Sequence, residues 1–303
     1  MIRVQSAAIL AVAALTLSGT AAQAQTAFAL NGGNLISFDI ANPSVLLSNN
    51  PLTTALDAID FRVQTGVLFG YSSATDTVYT VTAAGAVTPT AFGSATGTAQ
   101  ETTTANLGID FNPTTGTGAA AAFRIVTAND ENRVYNSVTN AYVAGQNNLR
   151  FLGTANGVAD GASVVENAYT NNLSGAGSTV QYVVESSTNS LYTLNNAVGE
   201  ITLVGALGVT VNPATVGFDI YTPSFGVNNA YGVFGNNGVS SIYSVNLGTG
   251  AASAPLAIGN GTLTSVRSLA IVPVVVPEAG TAQLVLGALM VGMGVVVRRR
   301  VAK

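Results

Sequence analysis

Three aspartates recur in one local frame: Ala58-Ile59-Asp60-Phe61-Arg62, Gly108-Ile109-Asp110-Phe111-Asn112 and Gly217-Phe218-Asp219-Ile220-Tyr221. Carboxylates repeated at equivalent positions can converge if their segments are arranged around an axis. There they would hold a hard cation such as Ca2+, which prefers oxygen ligands, or hydrogen-bond sugar hydroxyls. The same residues could instead accept backbone N–H groups as repeated structural elements. Asp57 with Asp60, or Asp110 with Glu166, would be the carboxylate pairs of a glycoside hydrolase, although sequence spacing does not establish their separation. Arg62, Arg124, Arg133 and Arg150 could grip acidic sugars, or bridge to the acidic groups of neighbouring repeats. Two oxygen-rich stretches, Asn129–Asn132 and 156–161, lack the spacing of an EF-hand loop and read as solvated turns.

Composition excludes much of the remaining chemistry. The chain has no Cys, His or Trp. Thiolate chemistry, His-dependent triads and His-ligated zinc or copper are therefore out of reach. Without disulfides the fold must rest on its own core. Gln25–Val276 carries five arginines, no lysine and thirteen acidic residues, a net charge of −8. That balance disfavours nucleic acid and anionic lipid as partners.

The elements that would position the aspartates are strands. Val165–Tyr169 and Val266–Val272 fit the aspartate frame more loosely, giving five segments about 50 to 58 residues apart, the period of propeller blades. Several are followed by a strand with a central Tyr, a Gly turn and another strand. Thr77–Val81 leads through Gly85, Ser190–Leu194 through Gly199, and Ser241–Val245 through Gly248 and Gly250. These read as hairpins with apolar alternation on one face. Ala27–Leu30 and Asn34–Ile40 form a hairpin lacking a first strand, whereas Val266–Val272 is a first strand lacking a hairpin. Their pairing would close a ring and protect both edges. The expectation is an all-β, five-bladed β-propeller over 25–275 with a composite closing blade; a β-sandwich or β-solenoid is the alternative.

The ends read as targeting segments. Arg3, an apolar Ala7–Leu17 and Ala22-Gln23-Ala24 make 1–24 a secretory signal peptide, cleaved by signal peptidase between Ala24 and Gln25. At the other end, Val276-Pro277-Glu278-Ala279-Gly280-Thr281 precedes an apolar run and Arg298-Arg299-Arg300. Residues 279–297 are near the lower limit for a membrane-spanning helix, with the arginines retained on the cytoplasmic side.

Two family resemblances follow. The 276–303 tail resembles the PEP-CTERM sorting signal of exported proteins in Gram-negative bacteria, with Ala279 where the signature has a second proline. That resemblance implies processing by an exosortase, a membrane protease-transpeptidase, and association with extracellular polysaccharide. The mature region resembles the bacterial domain of unknown function 4394. It does so through Ala58–Arg62, Gly108–Pro113, Phe123–Val126, Asn148–Arg150, Ala168–Asn171 and the opening Ala29-Leu30 with Leu35–Asp39. The expected protein is exported and non-enzymatic, has no cofactor beyond an optional Ca2+, and is surface- or matrix-associated. The alternative is a carboxylate-dependent polysaccharide-active enzyme.

Overall fold

The computed structural model describes residues 25–93, 104, 106–115, 122–136, 141–143 and 145–274. The expected signal peptide with its Ala24 cleavage position and the tail from Val276 lie outside these residues. Among the described residues, twenty-one strands form five sheets, with one short 3-10 turn at Ile258–Gly261.

Each sheet is a blade of antiparallel strands, numbered here around the ring. Blade 1 runs Ala58–Arg62, Val67–Ser72, Thr77–Val81 and Val87–Gly93. Blade 2 runs Leu107–Phe111, Ala122–Thr127, Asn132–Asn136 and Ala141–Tyr142. Blade 3 runs Val164–Tyr169, Gln181–Glu185, Ser190–Asn195 and Glu200–Ala206, with Arg150–Phe151 added in parallel at its outer edge. Blade 4 runs Gly217–Ser224, Val227–Asn236, Val239–Val245 and Leu256–Ala257.

Blade 5 is the composite. Its inner strand is Val266–Ile271, from the end of the domain, and its outer three are Thr26–Asn31, Asn34–Asp39 and Asn42–Pro51. Ala27 pairs with Ile271 and Phe28 with Ala270. The five inner strands touch in sequence and close on themselves, Val266–Ile271 meeting Ala58–Arg62. Neither the sandwich nor the solenoid describes this ring.

The apolar pattern follows from the ring. Five buried clusters form, one at each junction between blades. Phe69 and Tyr71 of blade 1 meet Ile109 and Phe123 of blade 2. Val126 meets Val164 and Val183 across the next seam. Val184 and Leu191 meet Phe218 and Phe234; Val233 and Ile242 meet Ile36 and Leu269; Leu30 and Leu35 meet Ile59 and Phe61. A blade therefore buries both faces, so its inner strands are not one-sided. Ala58–Arg62 and Val164–Tyr169 are buried at every position. One-sided alternation, expected for the hairpins, appears instead on an outer strand, Asn42–Pro51, where Val45 and Leu47 are exposed. The physical reason is that only the rim of a propeller has solvent on one side.

Candidate functional site

The inner strands bring Asp60, Asp110 and Asp219 together. One carboxylate oxygen from each lies within 4.8 Å of the others. All three are buried, at 2%, 1% and 2% exposure. The residue two before each aspartate is small: Ala58, Gly108 and Gly217. At Gly108 a Cβ would sit 2.6 Å from Glu166 Cα, and at Gly217 one would sit 2.9 Å from the Leu269 nitrogen. Minimal side chains here let neighbouring inner strands approach closely enough for the carboxylates to meet.

The hydrogen bonds follow from which blades carry an aspartate. Asp60 Oδ2 accepts the N–H of Phe111 at 2.8 Å, reaching from blade 1 to blade 2. Asp110 Oδ2 accepts that of Tyr169 at 3.1 Å, from blade 2 to blade 3. Asp219 Oδ2 accepts that of Ile271 at 2.6 Å, from blade 4 to blade 5. In each case the donor lies one residue past the aspartate's equivalent on the next blade.

Blades 3 and 5 carry Ala168 and Ala270 at that equivalent position, so no carboxylate reaches onward from there to blades 4 and 1. There the aspartate's own second oxygen takes the following N–H. Phe61 donates to Asp60 Oδ1 at 2.7 Å, and Ile220 to Asp219 Oδ1 at 2.6 Å. Five N–H groups thus serve six oxygens, and Asp110 Oδ1 is left buried without a hydrogen-bond partner. Its natural donor, the N–H of Phe111, already belongs to Asp60.

Both alanine-bearing inner strands are bulged ahead of the alanine, the extra residues being Val165 and Ser268. Bulges re-aim side chains at such places. Ser268, at φ 46°, accepts the N–H of Ile59 on its Oγ at 2.9 Å and joins blade 5 to blade 1. Just past the other bulge, Glu166 is 3% exposed and extends over Gly108, where an added Cβ would be 2.5 Å from its Oε2. Among the described residues it makes no hydrogen bond. Its charge interacts with those of Asp219 and Asp60, and that of Asp110 interacts with it.

The site is thus a buried cluster of three aspartates at the axis, with the Glu166 charge acting on it from over Gly108. None of the four forms an ion pair among the described residues, although Arg267 acts on Glu166 from a distance. Burial, followed by repulsion from the neighbouring carboxylates, holds Asp60 and Asp110 well above the ordinary carboxylate range. Burial raises Glu166 likewise, and raises Asp219 to about 7 against two backbone N–H bonds that lower it. Two ionised carboxylates 4.8 Å apart repel by ~3.5 kcal/mol at an effective dielectric constant of about 20. A cluster this dense needs protons or a cation to neutralise it.

The family model described as "Domain of unknown function (DUF4394)" matches residues 34–270. The chain belongs to the DUF4394 family. Solved structures similar to this DUF4394 chain include the nidogen/laminin complex, at 10% identity, TM-score 0.39, covering 82% of this chain and 98% of that one. A BBS1N–ARL6DN complex soaked with lead aligns at 14% identity and TM-score 0.38, over 78% of this chain and 65% of that one. The Dos1 propeller aligns at 11% identity and TM-score 0.36, over 80% of this chain and 60% of that one. The chain thus spans less than two thirds of the length of the last two. No curated protein matches it.

The other sequence candidates are dispersed. Asp57 does not join Asp60. It accepts the N–H and Oγ–H of Ser73, both on Oδ2, and pairs with Arg267 at 3.4 Å. That inter-blade ion pair uses an arginine other than the four expected to bridge repeats. Of those four, Arg150 pairs with Glu200 at the edge of blade 3. Arg124 instead donates to neutral groups, the Tyr169 hydroxyl and Asn132. Arg62 is buried with Nε and Nη2 unpartnered.

Of the two oxygen-rich stretches, 156–161 is mostly exposed and turns at Asn156-Gly157, as expected, although Asp160 accepts the N–H groups of Phe151 and Ala162. The other departs from a solvated turn, since Glu131 and Asn132 are buried. Asp130 helps line a cavity of about 150 Å³ with Asn148–Arg150 and Gly157–Ala159. Burial, with the nearby Asp160 and Glu185, raises its carboxyl to about 6. The oxygens are drawn inward because they satisfy the backbone where Arg150–Phe151 joins blade 3. Glu166 carried a weak signal in the sequence, as a partner for Asp110. Nothing local indicated that a bulge would turn it towards the axis.

Proposed function

We propose that this chain is an exported, non-enzymatic β-propeller protein of the cell surface or extracellular matrix. On this reading signal peptidase removes 1–24, an exosortase-type protease processes the 276–303 tail, and the propeller engages exopolysaccharide or another envelope component. The supporting observation is where the ring closes. Gln25, the first residue after the proposed cleavage, already donates its side-chain amide to the Val272 carbonyl at 2.7 Å, and Val272 N–H donates to Thr26 O at 3.0 Å. Both targeting segments lie outside that closure, so losing either leaves every described blade complete. The net charge of −8 over Gln25–Val276 argues against nucleic acid.

Accessibility argues against the hydrolase. The 4.8 Å limit on the aspartate oxygens is close to the ~5–5.5 Å separation of a retaining pair. Yet those carboxylates are 1–3% exposed, and five of the six aspartate oxygens accept backbone N–H groups. A glycosidic bond has to lie between its two carboxyls, and these are walled in by the inner strands. Three surface cavities of about 280, 390 and 150 Å³ are lined by other residues.

The test is the intact mass of the natively expressed protein, recovered separately from cells and medium. The expected species lacks Met1–Ala24 and the residues after about Pro277. A membrane-bound species retaining Arg298–Lys303 would overturn the sorting reading and remove the main support for the polysaccharide link.

A further inference from the structure

We propose that the axis of the propeller is a calcium site, with Asp60, Asp110 and Asp219 as its protein ligands and Glu166, whose oxygens stand outside their 4.8 Å set, adding negative charge beside them. The aspartate cluster alone would be accounted for by its structural bonds, since five of its oxygens hold backbone N–H groups. Two further observations point to a ligand. Asp110 Oδ1 is fully buried and has no donor, a state that costs free energy unless something else meets it. Glu166, 97% buried, has no hydrogen bond among the described residues, and its carboxylate acts electrostatically on the same cluster from the adjoining blade. Neither oxygen set contributes to holding the seams, so structure alone does not require them.

The donor chemistry selects the ion. All candidate ligands are carboxylate oxygens, the set that favours hard cations, and the chain contains no Cys or His for softer metals. Calcium–oxygen distances are about 2.3–2.6 Å, so ligands on opposite sides of one ion stand ~4.6–5.2 Å apart. The 4.8 Å bound on the aspartate oxygens fits that sphere as it stands. Magnesium demands near-ideal octahedral geometry and gives up its waters reluctantly, which suits it poorly to a buried set of carboxylates held by seam bonds. The N–H groups on the aspartates occupy one lone pair per oxygen, leave another for the ion, and fix the carboxylates in place beforehand. The inference is independent of the export reading.

The test uses the full chain in mild detergent, stripped with EDTA, exchanged into chelator-free buffer and titrated with CaCl2 by calorimetry. One ion per chain should bind, with a dissociation constant on the order of 10⁻⁵ to 10⁻³ M, and Tm should rise with added CaCl2. Asp110→Asn and Glu166→Gln should each weaken binding at least ~tenfold with an unchanged far-UV spectrum. Glu166→Gln removes no described hydrogen bond, so it keeps the test open if Asp110→Asn folds poorly. MgCl2 should bind at least ~tenfold more weakly than CaCl2. No heat and no Tm shift up to about 10 mM CaCl2 would overturn the assignment. Undiminished binding by both variants would too, placing the ion elsewhere, for instance near Asp130 and Asp160. Equal affinity for Mg2+ would overturn the fit to calcium.

Discussion

Asp60→Asn and Asp110→Asn are chemically identical changes at equivalent positions, and the hydrogen-bond allotment predicts that they differ in stability. Both Asp60 oxygens accept a backbone N–H, from Phe61 at 2.7 Å and Phe111 at 2.8 Å. Asparagine offers only one acceptor, so one of these buried N–H groups must face an NH2 group. An unsatisfied buried donor costs ~1–3 kcal/mol. Asp110 has a single such bond, from Tyr169, and its other oxygen is unpartnered. Asparagine there keeps the bond, and its NH2 group replaces an oxygen that accepts nothing. Each variant removes one carboxylate of the same cluster, and the two differ in the number of backbone N–H groups left to satisfy. Asp60→Asn should therefore be less stable than Asp110→Asn by about 1–3 kcal/mol. At about 2–4 °C per kcal/mol for a domain this size, the gap in Tm is roughly 2–12 °C. The assay is thermal or urea unfolding of both full-length variants in EDTA at pH 7.5. Equal stabilities, or a less stable Asp110→Asn, would refute the allotment of five N–H groups among six oxygens.

Two further outcomes follow. In EDTA, wild type should lose stability relative to Asp110→Asn as pH rises from about 4 to about 7. The cluster's folded-state values lie above the unfolded ones, that of Asp219 at about 7; the folded state holds more protons, so stability is full at low pH and lost on passing the folded values. Tm measured across that range checks the sign, and a wild type that gains stability relative to Asp110→Asn with rising pH contradicts it. Gly108→Val places a Cβ 2.6 Å from Glu166 Cα and should destabilise by about 1–3 kcal/mol through forced separation of blades 2 and 3. Gly238→Ala has nothing within 4 Å of its added carbon but sits at φ 81°, so it isolates the backbone cost alone. Urea unfolding that showed Gly108→Val costing no more than Gly238→Ala would contradict the close approach.

The sequence alone determined the blade count, the pairing of Ala27–Leu30 with Val266–Ile271 and the equivalence of Asp60, Asp110 and Asp219. All three rest on local repetition: one frame recurring at a blade's period, and a first strand and a hairpin each lacking its complement. It likewise settled the absence of thiolate and imidazole ligands. What it left open was whether the aspartates would converge on an ion or serve backbone donors. The tertiary structure shows that most of their oxygens do the second, while the three side chains still meet.

That outcome depended on three things with no local signature. Ala168 and Ala270 decide which N–H groups the preceding blade leaves unclaimed, so Asp110 alone keeps a free oxygen. The bulge at Val165 changes the register beside Glu166, and register follows pairing with Gln181–Glu185. The two-faced burial of the blades arises because a closed ring gives each sheet two neighbours. Each is a relation between separate segments, which only strand pairing and the packing of blades around a common axis bring into contact.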